Sequence, residues 1–373
     1  MLQHAEYVSP GHPDRLADAI AEGIVTAAIQ QRSDALVGVE VAVHRDAVFI
    51  DGRIAAGPTP LDLPSIVRDT YRRAGYGGPW IPDPARLRIC NELCEEELPA
   101  LESDIRPFSD DQNIVIGFAT KNPGTNHLPS AHWIAGELGR RLFATLRSDP
   151  ALAELFGPDF KILASLSEDP RTGRVQWRKL VLSVLHQPLL SQERQHRLLA
   201  PLVESILTDL ENTGAPAGTA SSLDRQHLIL NGAGEFAIGG PEGDNGLSGK
   251  KLVVDHYGPS VPIGGGAISG KDPHKVDKAG AVRARQLAKQ LVRNGADEAR
   301  VTLGWAPGGD SPFLLEAITT KCGVCILLPP EELPGPDWFT IGRIVRDLEL
   351  ATRDWAQDLL GGYFANPTAS WER

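Results

Sequence analysis

Cysteine is scarce in the 373-residue chain, which has only Cys90, Cys94, Cys322 and Cys325. Cys322 and Cys325 have the spacing of half a zinc site, but the other two cysteines lie far away along the chain and no His-x-x-x-His motif completes a ligand set. Cys325 leads into an apolar run, which favours a strand. We therefore expect reduced thiols rather than a zinc or redox centre.

Basic residues are also in deficit, with 37 Lys and Arg against 48 Asp and Glu, a net charge of −11. This balance argues against a nucleic-acid partner, since such surfaces are usually basic. No apolar run is long enough to span a membrane. Residues 1–10 lack the basic start and apolar centre of a signal peptide, so we expect a cytoplasmic enzyme with no membrane partner.

Glycine and lysine, in contrast, are concentrated in two segments. Residues 239–251 read GGPEGDNGLSGKK, and residues 264–277 read GGGAISGKDPHKVD. Glycine lets backbone N–H groups approach an anion, lysine supplies positive charge for phosphate, and aspartate can hold Mg²⁺. A polyphosphate site is the leading interpretation, with solvated turns as the alternative. Residues 265–271 match the spacing of a Walker A loop, but the preceding strand and the Ser or Thr are missing, so we reject that assignment.

Hydrophobic periodicity predicts one arrangement three times: a helix, a hairpin and a closing helix. The first unit has a helix over 14–29, strands over 37–43 and 48–54, and a helix over 63–74. The second has a helix over 131–147, strands over 161–167 and 175–186, and a helix over 192–210. The third has a helix over 274–293 capped by Asp272, strands over 300–305 and 313–320, and a closing helix from Asp337.

This pattern predicts an α+β fold with helices packed on one face of each sheet. Three units leave three sheet faces to bury, either around a pseudo-threefold axis or against a partner subunit. We place the unit boundaries at 13–116, at 117–228 together with 1–12, and at 229–373. Residues 212–222 are rich in Gly, Ala, Thr and Ser and are predicted to be an exposed linker.

Three motifs together are more specific than any one of them. Gly-His-Pro-Asp at 11–14 and the two glycine-rich segments resemble the methionine adenosyltransferases, the S-adenosylmethionine synthetases. The ending Tyr363-Phe364…Trp371-Glu372 also fits, and the resemblance extends along most of the chain. It implies three similar units with sheets packed against a dimer partner, so that a homodimer or a dimer of dimers is expected. It also implies ATP and L-methionine as substrates, with Mg²⁺ and K⁺ as cofactors.

The resemblance also implies roles for individual residues. Catalytic roles around the triphosphate fall to His12, Lys161, Lys251 and Lys271. Contacts with ATP fall to Asp111, Asp159, Phe236, Asp244, Lys250 and Lys275, with Phe236 stacked on adenine. Asp14 and Asp277 would hold Mg²⁺, and Glu40, expected to point inward on the first hairpin, would bind the monovalent cation.

The chain departs from the family pattern where the amino-acid substrate is expected. Arg53 stands where the family has a glutamate that contacts the methionine amino group, and it would repel an ammonium. The loop before Asp111-Gln112 is shortened and lacks the family's glutamine. Three functions stay open: synthesis of S-adenosylmethionine with cleavage of triphosphate to pyrophosphate and phosphate, adenosyl transfer or ATP cleavage with a different nucleophile, and non-catalytic binding of ATP or polyphosphate.

Overall fold

The computed structural model describes residues 1–373. The strands are β1 (Leu2–Val8), β2 (Leu36–His44), β3 (Ala47–Ala56), β4 (Arg88–Glu97), β5 (Asn113–Thr120), β6 (Phe156–Glu168), β7 (Val175–His186), β8 (Leu228–Leu230), β9 (Gly246–Leu247), β10 (Glu298–Trp305), β11 (Leu314–Lys321) and β12 (Val324–Leu327). The helices are α1 (Pro13–Gln31), α2 (Leu63–Ala74), α3 (Ala100–Ile105), α4 (Ser130–Ser148), α5 (Pro150–Leu155), α6 (Gln192–Asn212), α7 (Gly240–Gly243), α8 (Leu252–Asp255), α9 (Val276–Arg293), α10 (Ile341–Asp347) and α11 (Trp355–Gly361).

The strands form three four-stranded sheets, with the orders β4-β3-β2-β9, β1-β6-β7-β8 and β12-β11-β10-β5. Each sheet contains one of the predicted hairpins, which confirms the α+β assignment. The sheets also exchange strands between distant parts of the chain. β1 pairs with β6, β9 pairs with β2, and β5 pairs with β10. The β1–β6 pair lies within the second unit as proposed from the sequence, whereas the β9–β2 and β5–β10 pairs join different units. The boundaries themselves stay a prediction.

Alternation along β2 explains how the first sheet is packed. Val37, Val39, Val41 and Val43 are buried in an apolar core against α1, and the residues between them lie on the opposite face. This core continues through α9 to the third sheet, whereas the second sheet packs with α4 and α6 in a separate core. Period-2 alternation thus buries one face of each hairpin and leaves the other face available.

The third unit differs from the prediction at both of its helices. α9 begins at Val276, so Asp272 is not its cap. Asp272 instead accepts hydrogen bonds from the backbone N–H groups of Val37 and His274 and pairs with Arg106. The single closing helix predicted from Asp337 is wrong as well, because α10 ends at Asp347 and α11 begins only at Trp355. Ion pairing of Asp272 and the interruption between α10 and α11 are tertiary features that periodicity does not encode.

The predicted linker is also wrong, because residues 212–222 are folded against β7. The Glu211 carboxylate accepts hydrogen bonds from the N–H groups of Gly218, Ala220 and Ser221. The Trp177 indole donates to the carbonyl of Thr219, which is fully buried. Small polar residues here serve a tight turn rather than an exposed connection. None of the helices is both long and apolar enough to cross a membrane.

Candidate active site

The first cluster is built at the amino end of α1. Pro13 occupies the first helical turn, and the His12 side chain caps the helix by accepting a hydrogen bond from the Asp14 N–H at 3.2 Å. A carboxylate in this turn also benefits from the helix dipole, by about 0.3–1 kcal/mol. Local helix chemistry therefore fixes His12 and Asp14 side by side, and both are buried.

Two lysines from the first glycine-rich segment meet the Asp14 carboxylate. Lys251 Nζ lies 2.5 Å from Oδ2, and Lys250 Nζ lies 3.6 Å from Oδ1. The backbone N–H of Leu247 also donates to Oδ1, at 3.0 Å. Burial alone would raise the pKa of Asp14, but the hydrogen bonds from Lys251 and Leu247 outweigh it and lower this pKa. Asp14 is therefore an anion around which cationic side chains gather.

His12 is neutral in this cluster. Burial, and then the nearby charge of Lys161, lowers its pKa to about 3. Because Nδ1 accepts from the Asp14 N–H, the ring proton lies on Nε2, which makes Nε2 the hydrogen-bond donor of the ring. Lys161 lies on β6 and is exposed, and its side-chain ammonium makes no hydrogen bond or ion pair within the chain. A neutral donor and an unpaired cation thus accompany the Asp14 cluster.

Three residues that the resemblance assigns to ATP, namely Asp159, Phe236 and Asp244, lie around Gly239 and Gly240. The buried Asp159 carboxylate accepts a hydrogen bond from the Gly240 N–H at 2.8 Å. Burial raises the pKa of Asp159 to about 6, against the effect of that hydrogen bond. Phe236 is half-buried beside Gly239, whose backbone its ring approaches closely. Asp244 is exposed and accepts only from the Asn245 N–H.

The second cluster is centred on Asp277, in the first turn of α9. Its Oδ1 lies 2.5 Å from Lys271 Nζ and accepts a hydrogen bond from the Asn113 side chain at 2.7 Å. Gly266 passes so close that a β-carbon there would lie 1.6 Å from the same oxygen. Gly270, with φ of 77°, provides the left-handed turn immediately before Lys271. Glycine is required at both positions for the lysine and the aspartate to meet.

Lys275 lies beside the second cluster, whereas Asp111 does not take part in it. Lys275 Nζ lies 2.5 Å from the Asp110 carboxylate, beside the second cluster. Asp111 is exposed, and its carboxylate accepts from the adjacent Gln112 N–H. The ion-pair partner of Lys275 is therefore Asp110, which sequence reasoning did not assign, although it stands next to the motif that was singled out.

The two clusters do not touch within one chain. β2 lies between them: Leu247, beside Asp14, pairs with Ala42, whereas Lys271 forms a bridge with Gly38. Four strand residues at about 3.3 Å each separate these positions by roughly 13 Å. Glu40 lies midway, but it is exposed on the open face of the sheet, so the inward orientation expected from the sequence is wrong in the single chain. Its carboxylate accepts from the Ser248 hydroxyl at 2.5 Å.

Asp18, one helical turn after Asp14, ties the two glycine-rich segments together and was missed from the sequence. Its Oδ1 accepts hydrogen bonds from the Gly249 N–H and from the Ser269 hydroxyl, each at 2.8 Å. Burial and nearby Asp255 raise the pKa of Asp18 to about 7, against the attraction of Arg15. The i,i+4 spacing from Asp14 on one helix face was the signal that could have found it.

Arg53 is already paired with carboxylates of its own chain. Its guanidinium donates two hydrogen bonds to Glu102 on α3, at 2.9 and 2.8 Å, and one to Glu96 on β4, at 2.5 Å. These contacts, with Glu102 first, raise the pKa of Arg53. The sequence interpretation treated Arg53 as a free charge facing the substrate. The structure corrects this, because the trio carries a net negative charge and holds α3 against the sheet.

The carboxylates fit Mg²⁺ only with help from substrate. No group of three or more His, Cys, Asp or Glu side chains is arranged to hold a metal ion. Mg²⁺, however, is commonly held by one or two carboxylates together with substrate phosphates and water. Asp14 and Asp277 each offer a carboxylate of this kind, already neutralised by lysine. All four cysteines are free and exposed, and none takes part in such a cluster.

Comparisons with known proteins find relatives along the whole chain. Residues 1–87 match the family described as S-adenosylmethionine synthetase, N-terminal domain, and residues 238–373 match its C-terminal domain. An S-adenosylmethionine synthase from Deinococcus radiodurans is 31% identical over 399 residues, covering 99% of this chain and 94% of the relative. The chain belongs to the S-adenosylmethionine synthetase family. The family membership makes it a transferase, which argues against the non-catalytic alternative.

Two further relatives extend the comparison. An S-adenosylmethionine synthase from Thermus thermophilus is 31% identical over 398 residues, covering all of this chain and 95% of the relative. The solved structure of an unusual S-adenosylmethionine synthetase from Campylobacter jejuni superimposes with a TM-score of 0.83 at 26% identity, covering 100% of this chain and 96% of that one. The synthetase fold thus extends over the whole chain.

Proposed function

We propose that this member of the family transfers the adenosyl group of ATP to the sulfur of L-methionine, giving S-adenosylmethionine, and cleaves the released triphosphate to pyrophosphate and phosphate. The observation that carries the proposal is the convergence of Lys250 and Lys251 on Asp14 beside a neutral His12. These residues come from distant parts of the chain, and their chemistry suits a polyphosphate leaving group.

The residue types match the chemistry of the first step. A thioether sulfur has no proton to lose, so attack on C5′ of ATP needs no general base. The barrier lies in the negative charge that develops on the departing triphosphate. Fixed cationic donors stabilise such charge most when they are already in place, and removal of one donor costs about 2.7–4 kcal/mol. Lys161, Lys251 and Lys271 are the donors we assign to this task, and Nε2 of His12 donates to the leaving oxygen.

The other assigned residues would bind the metal ions and the rest of ATP. Asp14 and Asp277 would hold Mg²⁺, which supplies further positive charge to the phosphate oxygens. Glu40 would hold K⁺ on the open sheet face. Lys250 and Lys275 would bind phosphate oxygens, and Phe236 would stack on adenine. Asp111, Asp159 and Asp244 would orient these groups or contact the nucleoside.

A homodimer would bring the two clusters together. The two lysine–aspartate clusters lie roughly 13 Å apart along β2 within one chain, at about 3.3 Å per residue. Both border the open face of the first sheet, where Glu40, Phe49 and Leu247 are exposed. A symmetric pair packed on this face would set the Asp14 cluster of one subunit against the Asp277 cluster of the other. A dimer of dimers would keep the same pairing.

A different nucleophile remains the second candidate, because α3 and its flanking residues depart from the family pattern. The pairing of Arg53 with Glu96 and Glu102 works against one version of it, in which Arg53 would bind a carboxylate of the nucleophile. The net negative charge of the trio suits an ammonium group instead. This observation favours methionine over an anionic nucleophile.

The deciding experiment is incubation of the purified protein with ATP, Mg²⁺, K⁺ and L-methionine, followed by mass spectrometry for the sulfonium product. Formation of S-adenosylmethionine with pyrophosphate and phosphate supports the proposal. Product only with other thioethers, or triphosphate release without the sulfonium, supports the second candidate. Absence of any ATP turnover would contradict both.

A further inference from the structure

A buried polar network at the end of β7 has no part in the triphosphate chemistry. It consists of His186, Gln195 and Asn231, which are 0%, 2% and 4% exposed. Buried polar groups are costly unless they are hydrogen-bonded, by about 1–3 kcal/mol each. A buried network of three polar side chains therefore needs a structural role. The groups that it hydrogen-bonds lie at both ends of residues 231–236, the loop that carries Phe236, which indicates that the network holds this loop.

His186 and Phe236 form a reciprocal pair of hydrogen bonds. The backbone N–H of His186 donates to the Phe236 carbonyl at 3.0 Å, and the Phe236 N–H donates to the imidazole Nε2 of His186 at 2.9 Å. Because Nε2 accepts, the proton of the ring lies on Nδ1, which donates to the Gln187 carbonyl at 2.9 Å. One histidine thus fixes both polar groups of the Phe236 backbone.

The rest of the network holds the histidine and the start of the loop. The Gln195 amide nitrogen lies 3.1 Å from His186 Nε2, and its oxygen accepts from the Asn231 side chain at 2.6 Å. Asn231 in turn exchanges hydrogen bonds with the backbone of Val184, at 2.8 and 3.0 Å. Residues 231–236 are therefore anchored to β7 at both ends by buried groups.

The far end of the loop leads directly to the proposed ATP site. The Phe236 ring lies so close to Gly239 that a β-carbon there would be 2.8 Å from it. The next residue, Gly240, donates its N–H to Asp159 at 2.8 Å. A displacement of Phe236 would move an aromatic face relative to Asp159, but it would leave the lysine–aspartate clusters untouched.

We propose that His186, held by Gln195 and Asn231, is a positioning residue that fixes Phe236 for binding the nucleoside end of ATP. This inference rests on the proposed function, because Phe236 is assigned there to adenine. It adds that recognition of the nucleoside is separable from recognition of the triphosphate. Base stacking on an aromatic ring contributes about 1–3 kcal/mol to binding. Misplacing the ring should therefore weaken the binding of ATP but not the binding of a ligand that lacks the base.

The test compares His186→Leu, which removes the acceptor, with His186→Gln, whose side-chain oxygen can take the place of Nε2. Calorimetry measures binding of ATP and of inorganic tripolyphosphate, both with Mg²⁺, and kinetics measure KM for ATP and the rate of tripolyphosphate hydrolysis. His186→Leu is expected to weaken the binding of ATP at least tenfold and to leave the affinity for tripolyphosphate within twofold of that of the unmodified protein. His186→Gln is expected to stay within about threefold of the unmodified protein for both ligands.

His186→Asn is the second variant if His186→Leu does not fold, since it stays polar but lacks an acceptor at the Nε2 position. Equal weakening of ATP and tripolyphosphate would overturn the inference, because a general loss of structure would affect both. Unchanged ATP binding in a folded variant would overturn it as well. If the unmodified protein bound neither ligand, the proposed function itself would fall, and the two failures are thus distinguishable.

Discussion

Lys251 Nζ lies 2.5 Å from the Asp14 carboxylate, although 237 residues separate the two in sequence. The pair joins the first glycine-rich segment to the amino end of α1. The Lys271–Asp277 pair has the same form at the second segment. In the proposed function each carboxylate would hold Mg²⁺ and each lysine would bind phosphate, so both charges are in place before ATP binds.

Replacement of Lys271 by alanine is expected to lower turnover of ATP and methionine at least tenfold. The lost positive charge would otherwise stabilise the departing triphosphate, and a tenfold decrease corresponds to about 1.4 kcal/mol of transition-state stabilisation. Steady-state kinetics measure the effect. Lys321→Ala, at an exposed end of β11, is the matched control and should leave turnover unchanged. Equal rates for both variants would remove Lys271 from the phosphate site.

The Arg53 trio leads to a prediction that differs from the one suggested by sequence alone. Since Arg53 already binds Glu96 and Glu102, its replacement by glutamate should not improve the use of methionine. The change should instead release α3, so that hydrogen exchange over residues 99–106 becomes at least tenfold faster, on the order expected when a local anchor is lost. Exchange mass spectrometry and the KM for methionine give the two readouts.

Arg86→Met serves as the control for that comparison, because Arg86 is exposed and its ion pair with Asp83 is long, at 3.7 Å. It should change neither the exchange nor the KM. If Arg53→Glu lowered the KM for methionine and left exchange unaltered, then Arg53 would be a free charge that repels the substrate, as the sequence interpretation supposed.

Asp159 should make stability depend on pH in a defined direction. Its pKa is raised by burial from 3.8 to about 6, so the folded protein retains a proton that the unfolded chain has lost. The contribution of Asp159 to stability is present below pH 3.8 and is lost as pH rises to about 6. Asp159→Asn avoids this loss, so its Tm advantage over the unmodified protein should grow between pH 4 and pH 7, by on the order of a few degrees. A difference in Tm independent of pH would refute the assignment.

Much of the fold was predictable because its signals are local. The valines of β2 alternate with a period of two, and His12 and Pro13 mark the start of α1. Both elements were therefore predicted within about two residues. The errors came from tertiary partners. Asp272 looks like a helix cap in sequence, but Arg106 and the N–H of Val37 take its carboxylate. Residues 212–222 look like a linker, but Glu211 folds them onto β7.

The site was predictable to a different degree. The lysines and aspartates were found by motif, and the structure brings Lys250 and Lys251 to Asp14, and Lys271 to Asp277. Two further carboxylates were not found, because Asp18 contacts Gly249 and Ser269, and Asp110 contacts Lys275, across long sequence separations. The pairing of Arg53 could not be predicted from the sequence either. Its charge is neutralised by Glu102 on α3 and Glu96 on β4, and the positions of these elements depend on the packed sheet.

The central claim is that the Asp14 cluster of one subunit and the Asp277 cluster of another act on one ATP molecule. Co-expression of Asp14→Ala and Lys271→Ala chains, each strongly impaired alone, tests it most directly. In a mixed dimer one of the two equivalent sites carries both changes and the other carries neither. Random assortment makes about half of the dimers mixed, so roughly a quarter of the unmodified activity should return. If the co-expressed chains form mixed dimers and activity does not return, the two clusters do not meet across subunits and the account is contradicted.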